Sequence, residues 1–209
     1  MTDMQKEALA GLYERHGVPW NPAVTVNAAS LFGTEAPFIV EVGFGMGLAT
    51  AAIAQALPDA RFLGLEVHAP GVGKLLSEIA ARSIQNLRVC RHDAVEVIES
   101  MIAPQSVDGF HIFFPDPWPK KRHHKRRIMN AAFVTLLADR LKPGGYIYYV
   151  TDWEEYAVAT LEVLGAQANL TNNFAPWAER QPWRPVTKFE QRAINDGRLV
   201  RELYFTKRI

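Results

Sequence analysis

Short apolar runs alternate five times with helical stretches along most of this chain, and that alternation leaves few folds open. The runs are FIVEV (38–42), RFLGLEV (61–67), NLRVCRHD (86–93), VDGFHIFFP (107–115) and YIYYVT (146–151). Helical patterning occupies residues 48–57, 73–84, 94–102, 130–141 and 153–168. Five βα units with short loops predict a parallel sheet with helices on both faces. The ending differs. Residues 187–194 and 198–207 read as strands, and the Asn195-Asp196-Gly197 between them is a hairpin signal. The prediction is therefore an α/β fold: a doubly wound, mostly parallel seven-stranded sheet with an antiparallel C-terminal hairpin. The 209 residues suit one domain, with residues 1–37 as an N-terminal extension.

Composition narrows the setting. No apolar run is long enough to span a bilayer. The first residues are mixed and charged and lack the apolar region of a secretory signal. The single cysteine, Cys90, allows no intrachain disulfide and reads as a small buried residue on a strand. A cytoplasmic protein is expected, without a membrane or an obligate protein partner, as a monomer or homodimer. The net charge of +1 conceals an asymmetry. Residues 120–127 hold six Lys/Arg and two His; removing those six from the total of 23 leaves 17 Lys/Arg against 22 Asp/Glu, a net of −5. No acid occurs between Asp116 and Asp139. Such a local basic stripe suits a polyanion. Mutual repulsion predicts that the stripe is a mobile loop.

EVGFGMG (41–47) joins the first strand to the first helix. Glycines there allow a tight turn and close approach of a ligand to a helix N-terminus. Gly43, Gly45 and Gly47 give Gly-x-Gly-x-Gly, whereas a dinucleotide site wants Gly-x-Gly-x-x-Gly, which disfavours a dehydrogenase. No Gly-Lys-Ser/Thr follows, so this is not a phosphate-cradling loop. The pattern resembles the first motif of S-adenosylmethionine (SAM) methyltransferases. Glu66 ends the second strand, where a carboxylate can accept from both ribose hydroxyls. Asp93 ends the third, at the expected adenine edge. Each acid could also cap the following helix.

Asp116 ends the fourth strand between Pro115 and Pro117, which fix the backbone on both sides. In a SAM enzyme this position lies beside the transferred methyl. Asp116 and the basic stripe then form one device, in which the stripe docks a phosphate backbone and the acid meets the delivered base. His111, His123 and His124 have no companion ligands in sequence, and no metal is expected. Trp177 and Trp183 could stack on a base, but cover for the sheet edge is the reading adopted. The Asp-Pro-Trp also echoes the Asp-Pro-Pro-Tyr of exocyclic-amine methyltransferases, without the second proline. An RNA-binding protein without catalysis is a further alternative, against which the intact glycine loop and Asp116 argue.

Taken together, the chain resembles the bacterial tRNA (guanine-N7-)-methyltransferase family. The resemblance rests on EVGFGMG (41–47), FLGLEVHAPGVG (62–73), NLRVCRHDAVEV (86–97), FFPDPWPKKRHHKRR (113–127), TDWEEYA (151–157) and TKFEQR (187–192). It implies the class I SAM-dependent methyltransferase fold. It also implies methyl transfer from SAM to N7 of the guanine at position 46, in the variable loop of tRNA. The products are 7-methylguanosine and S-adenosylhomocysteine. By motif, the implied cofactor residues are Glu41, Gly43, Gly45, Gly47, Glu66, Asp93, Ala94 and Asp116, with Asp116 also the catalytic position. Lys120, Asp152, Thr187, Lys188, Phe189 and Glu190 are implied substrate residues. Arg122, His123, His124, Lys125, Arg126 and Arg127 are the implied RNA-contacting stretch. The family's Arg-rich N-terminal arm has no counterpart in the 37 residues before Phe38, so the basic stripe and Arg192, Arg198 and Arg201 are expected to contribute more.

Overall fold

The computed structural model describes residues 10–209. The five apolar runs form parallel strands: β1 (Phe38–Val42), β2 (Arg61–Leu65), β3 (Leu87–Cys90), β4 (Val107–Phe113) and β5 (Leu141–Thr151). Two more, β6 (Leu170–Asn172) and β7 (Arg201–Lys207), complete a seven-stranded sheet in the order β3-β2-β1-β4-β5-β7-β6. β7 is antiparallel to both β5 and β6. The expected doubly wound sheet with an antiparallel end is present.

Helices cover both faces because the strands alternate. Ile39 and Phe62 point into one core with Ile53 of α3 (Leu48–Ala56) and Leu75, Leu76 and Ile79 of α4 (Ala69–Ala81). Val40, Val42, Leu63 and Leu65 point into the other. There they meet α5 (Ala94–Met101), α6 (Ala131–Arg140) and α7 (Glu154–Gly165). Cys90 is buried, as expected, and burial pushes its thiol up to about 11. Ahead of the sheet, α1 (Tyr13–His16) packs against one core through Tyr13, and α2 (Ala28–Phe32) against the other through Ala28, joined there by Val18 and Val26 of the connecting segment. The first part of the N-terminal extension lies outside the described residues.

One expectation is corrected. Residues 187–194 are not a strand: Thr187 caps helix α8 (Lys188–Asn195) by accepting from the Glu190 N–H at 3.0 Å. Glu190 and Ala193 form its buried side, a spacing of three that fits a helix and not a strand. Asn195-Asp196-Gly197 ends that helix, with Gly197 at φ 72° and the Arg198 N–H bonded to Ala193 O. It is a helix stop, not a hairpin turn. The second antiparallel strand is instead the short β6, which was not expected. Pro143–Gly145 lies inside β5, in an irregular stretch between the Leu141–Val107 and Tyr146–Gly109 pairs.

Candidate active site at the carboxyl ends of the strands

The strand order reverses between β1 and β4, and a cleft of about 530 Å³ opens there beyond the strand ends. Its lining includes Glu41, Gly43, Gly45, Glu66, Asp93, Ala94 and Asp116. The glycine loop forms its floor. Gly43, Gly45 and Gly47 have φ of 72°, 58° and 72°, values that L side chains rarely adopt. Helix α4 presses on this loop so closely that a Cβ on Gly71 would lie 2.0 Å from the Gly45 carbonyl oxygen.

Each acid is held differently. Glu66 accepts from the Gly45 N–H at 2.9 Å with one oxygen and from the Val67 and His68 N–H groups at 2.8 and 2.9 Å with the other. It thereby ties the end of β2 to the glycine loop. Asp93 does cap α5, accepting from Val95 N–H at 2.8 Å and Glu96 N–H at 3.3 Å through Oδ1. Its other oxygen has no protein partner among the described residues, so capping and ligand binding are compatible there. Glu41 is buried, accepts from the Thr50 hydroxyl at 3.0 Å, and has no partner for Oε2. Burial raises its carboxyl to about 7, opposed only by the Thr50 bond.

An unpartnered buried carboxylate oxygen beside a cleft calls for a cation. Without one it costs stability, and the sign is definite. The folded carboxyl, at about 7 against 4.5 for the ordinary group, holds its proton longer than the unfolded one. The penalty is absent below 4.5, grows as pH rises, and is complete above about 7. Glu41→Gln is therefore expected to stabilise the ligand-free protein at pH 8 by up to roughly 3 kcal/mol, with little effect at pH 4.5. Urea unfolding at the two pH values checks this; equal changes at both would contradict it.

Asp116 is exposed on the cleft wall, on a loop flanked by two non-glycine residues in the left-handed region, Phe114 at φ 49° and Trp118 at φ 44°. Such backbone persists only where the surroundings hold it. Here the Phe114 N–H bonds Val150 O at 2.7 Å, and Arg127 donates from Nε to Pro117 O at 2.9 Å. Arg127 is itself anchored by the Glu155 carboxylate at 3.0 and 2.6 Å and lies 4.7 Å from the Tyr156 ring centroid. It is buried and clamps the Asp116 loop, so it does not face outward with the rest of the stripe.

The stripe is not the loop that its charges predicted. It forms a 3-10 helix (Lys121–Arg126). The Trp118 ring takes Arg126 at 4.9 Å and His123 edge-on, and Glu155, distant in sequence, neutralises Arg127 and lies 3.7 Å from His124. Lys120, Arg122 and Lys125 are exposed.

The structure divides the expected substrate residues. Thr187 and Phe189 line the cleft mouth, and Phe189 is 71% exposed. Lys188 is exposed. Glu190 faces inward instead, with both oxygens taken by Arg184 at 2.7 and 3.0 Å. Asp152 pairs with Arg198 and lines a separate cavity of about 500 Å³. Residues that the sequence reading missed also wall the cleft, among them Phe44, Met46, Phe113 and Trp118. The paired phenylalanines before Pro115 were the signal for such an aromatic wall.

The other candidates are structural. Trp183 stacks on His111 at 5.0 Å, and Trp177 lies under Arg201 at 5.1 Å; both cover the sheet and neither lines the cleft. Burial lowers His111 to about 3, so its imidazole is neutral, bonded to the Tyr146 hydroxyl at 2.9 Å. Among the described residues no group of three or more His, Cys, Asp or Glu side chains is placed to hold a metal. Nor is any helix among them long and apolar enough to cross a membrane.

The chain is similar to known methyltransferases. A family model described as "Putative methyltransferase" matches residues 35–203. A tRNA (guanine-N(7)-)-methyltransferase of Paraburkholderia xenovorans is 52% identical over 204 residues, covering 98% of this chain and 78% of that one. One from Nitrosomonas eutropha is 49% identical, covering 97% and 90%. Among solved structures, the 16S rRNA methyltransferase KamB superposes with a TM-score of 0.64 at 15% identity, covering 86% of this chain and 92% of that one. SMU.1697c from Streptococcus mutans, solved in complex with SAH, superposes with a TM-score of 0.55 at 11% identity, covering 83% and 89%. The structural matches speak to the fold alone. The sequence matches extend over nearly the whole chain, through the glycine loop, the Asp116 loop and the α8 cap, and on that ground the chain belongs to the tRNA (guanine-N(7)-)-methyltransferase family.

Proposed function

We propose that this chain, acting as one catalytic unit in the cytoplasm, transfers the methyl group of SAM to N7 of guanine 46 in the variable loop of tRNA, giving 7-methylguanosine. The observation that carries the reading is the convergence in one cleft of the glycine loop, three strand-end acids and the clamped Asp116 loop. The cleft residues fit SAM. Oε2 of Glu41 lacks a partner, which suits the ammonium of the methionine part. Glu66 and Asp93 stand where ribose hydroxyls and the adenine edge are recognised in such folds. When bound, SAM supplies a methyl group on a positively charged sulfur.

The chain's own task is positioning. Guanine N7 carries a free lone pair and needs no proton removed before it attacks. A general base is therefore unnecessary. Orientation alone can supply about 7–11 kcal/mol of barrier lowering. Asp116 is acceptor-only when ionised and matches the donors on the guanine Watson–Crick edge. The aromatic wall of Phe113, Trp118 and Phe189 offers faces for the base to lie against. Lys120, Arg122, Lys125 and Arg126 offer an outward basic surface to the RNA backbone, with the half-buried His123 and His124 beneath it.

If Arg127 serves the loop and not the RNA, its loss has a particular signature. Arg127→Met is expected to lower turnover about tenfold or more, since small misplacements of reacting groups are costly. Affinity for S-adenosylhomocysteine and the salt dependence of tRNA binding should hardly change. A weaker salt dependence at normal turnover would return Arg127 to the RNA surface. The function is tested by methylating unmodified bulk tRNA with the purified chain, digesting it and identifying the nucleoside. The expected product is 7-methylguanosine; any other methylated nucleoside overturns the reading.

A further inference from the structure

Two arginines expected to assist the basic stripe are neutralised. Arg198 pairs with Asp152 and Asp196, and Arg201 pairs with Glu154. A different set gathers at the opposite end of the sheet. Arg61 begins β2 and Arg88 lies near the start of β3, and both set their guanidinium groups against the Phe32 ring, at 6.0 and 4.6 Å from its centroid. Arg61 donates to the carbonyls of Pro58 and Ala60 at 3.0 and 3.1 Å, and Arg88 to those of Gln85 and Leu87 at 3.2 and 3.1 Å. Carbonyls fix a guanidinium in place but carry no charge to cancel it.

Among the described residues neither arginine has a carboxylate within ion-pairing distance, although Asp59 is near in sequence; Glu78 engages Arg82 and Lys74 instead. The local field is positive by a second sign. His16 is buried with Nδ1 unpartnered, and its imidazole is held below the usual range by burial, then by Arg88 and Arg15. Arg88 is lowered too, by burial and by Arg15. Arg61, Arg82, Arg88 and Phe32 rim a surface cavity of about 550 Å³.

Like charges assembled around an aromatic ring, with no counter-charge among the described residues, suit an external anion. Planar guanidinium forks match phosphate oxygens two at a time. We propose that this cluster is a second tRNA-docking site, taking about two backbone phosphates from a part of the tRNA outside the cleft. The proposal rests on the functional reading above. The five residues of β2 separate the cluster from the cleft by only about 15 Å, well within the reach of one folded tRNA.

The test is the charge-reversing pair Arg61→Glu/Arg88→Glu in the full chain, with Arg61→Lys/Arg88→Lys as the charge-keeping control. Melting and S-adenosylhomocysteine binding establish that both are folded. For full-length tRNA, the reversed pair should raise Kd at least about tenfold and lessen the slope of log K against log salt by about two, while the lysine pair keeps the slope. Turnover at saturating tRNA should hold. Unchanged tRNA affinity and slope in a folded reversed pair would overturn the site while leaving the enzyme reading intact. Failure of the wild type to bind tRNA would sink both. If inorganic phosphate stabilises the wild type but not the reversed pair, and the tRNA slope is unaltered, the cluster serves a free anion and the proposal is wrong. Should the reversed pair not fold, Arg61→Gln/Arg88→Gln is read by the same criteria.

Discussion

Asp116→Ala is expected to cut methyl transfer by at least about a hundredfold, while S-adenosylhomocysteine affinity stays within a few-fold. The cleft's hold on the cofactor is distributed over other strand ends: Glu41 on β1, Glu66 after β2 and Asp93 after β3. Asp116 lies on the wall of β4, on a loop held at both strained ends. Such restraint is costly, and it serves a group whose direction matters more than its affinity. Asp116→Asn keeps the size and shape but exchanges one acceptor for a donor. It should be nearly as impaired, because the Watson–Crick edge of guanine presents donors to an acceptor pair. Single-turnover rates and a cofactor titration on the same preparations separate the roles. Loss of cofactor binding with the rate at saturation preserved would make Asp116 a cofactor ligand and nothing more.

Arg184→Met is expected to cost about 3–5 kcal/mol, lowering Tm by roughly 10 °C. Arg184 is buried and serves two buried carboxylates: Glu190 at 2.7 and 3.0 Å and Glu202 at 2.7 Å. Its Nε donates to the Tyr148 hydroxyl at 3.0 Å, and Tyr148 bonds Glu202. Removing the cation leaves two carboxylates in the interior, where burial favours their protonated forms. The deficit must therefore be largest at alkaline pH and shrink as pH falls toward the ordinary carboxylate range. Urea unfolding at pH 8 and pH 5 checks both size and sign, and a deficit under about 1 kcal/mol at pH 8 would contradict the assignment. The same network fixes α8, which carries Thr187 and Phe189 at the cleft mouth, so KM for tRNA should rise in the variant.

The parts of the site that lie along single strands were legible in sequence. The end of each apolar run is also the end of a strand, and in a doubly wound sheet strand ends share one edge. Glu41, Glu66, Asp93 and Asp116 could therefore be placed together without coordinates. Residues 187–194 were misread because Asn195-Asp196-Gly197 imitates a hairpin turn. The overlooked signal was local: Thr187 and Glu190 have the Thr-x-x-Glu spacing that starts helices. What could not be read was direction. Arg127 is one of six Lys/Arg in eight residues, and only the position of Glu155 and Tyr156 on α7 shows that it turns inward. Likewise Glu190 becomes structural through Arg184 and Glu202, which meet it by tertiary packing.

On the proposed reading the cleft delivers a methyl group to one atom, N7, of one guanine. The most direct measurement uses two tRNA transcripts that differ only at position 46, with guanine in one and 7-deazaguanine, which has carbon in place of N7, in the other. Stoichiometric methylation of the first and none of the second, with equal binding of both, is expected. Equal methylation of the two would show that the cleft serves a different atom or a different nucleotide.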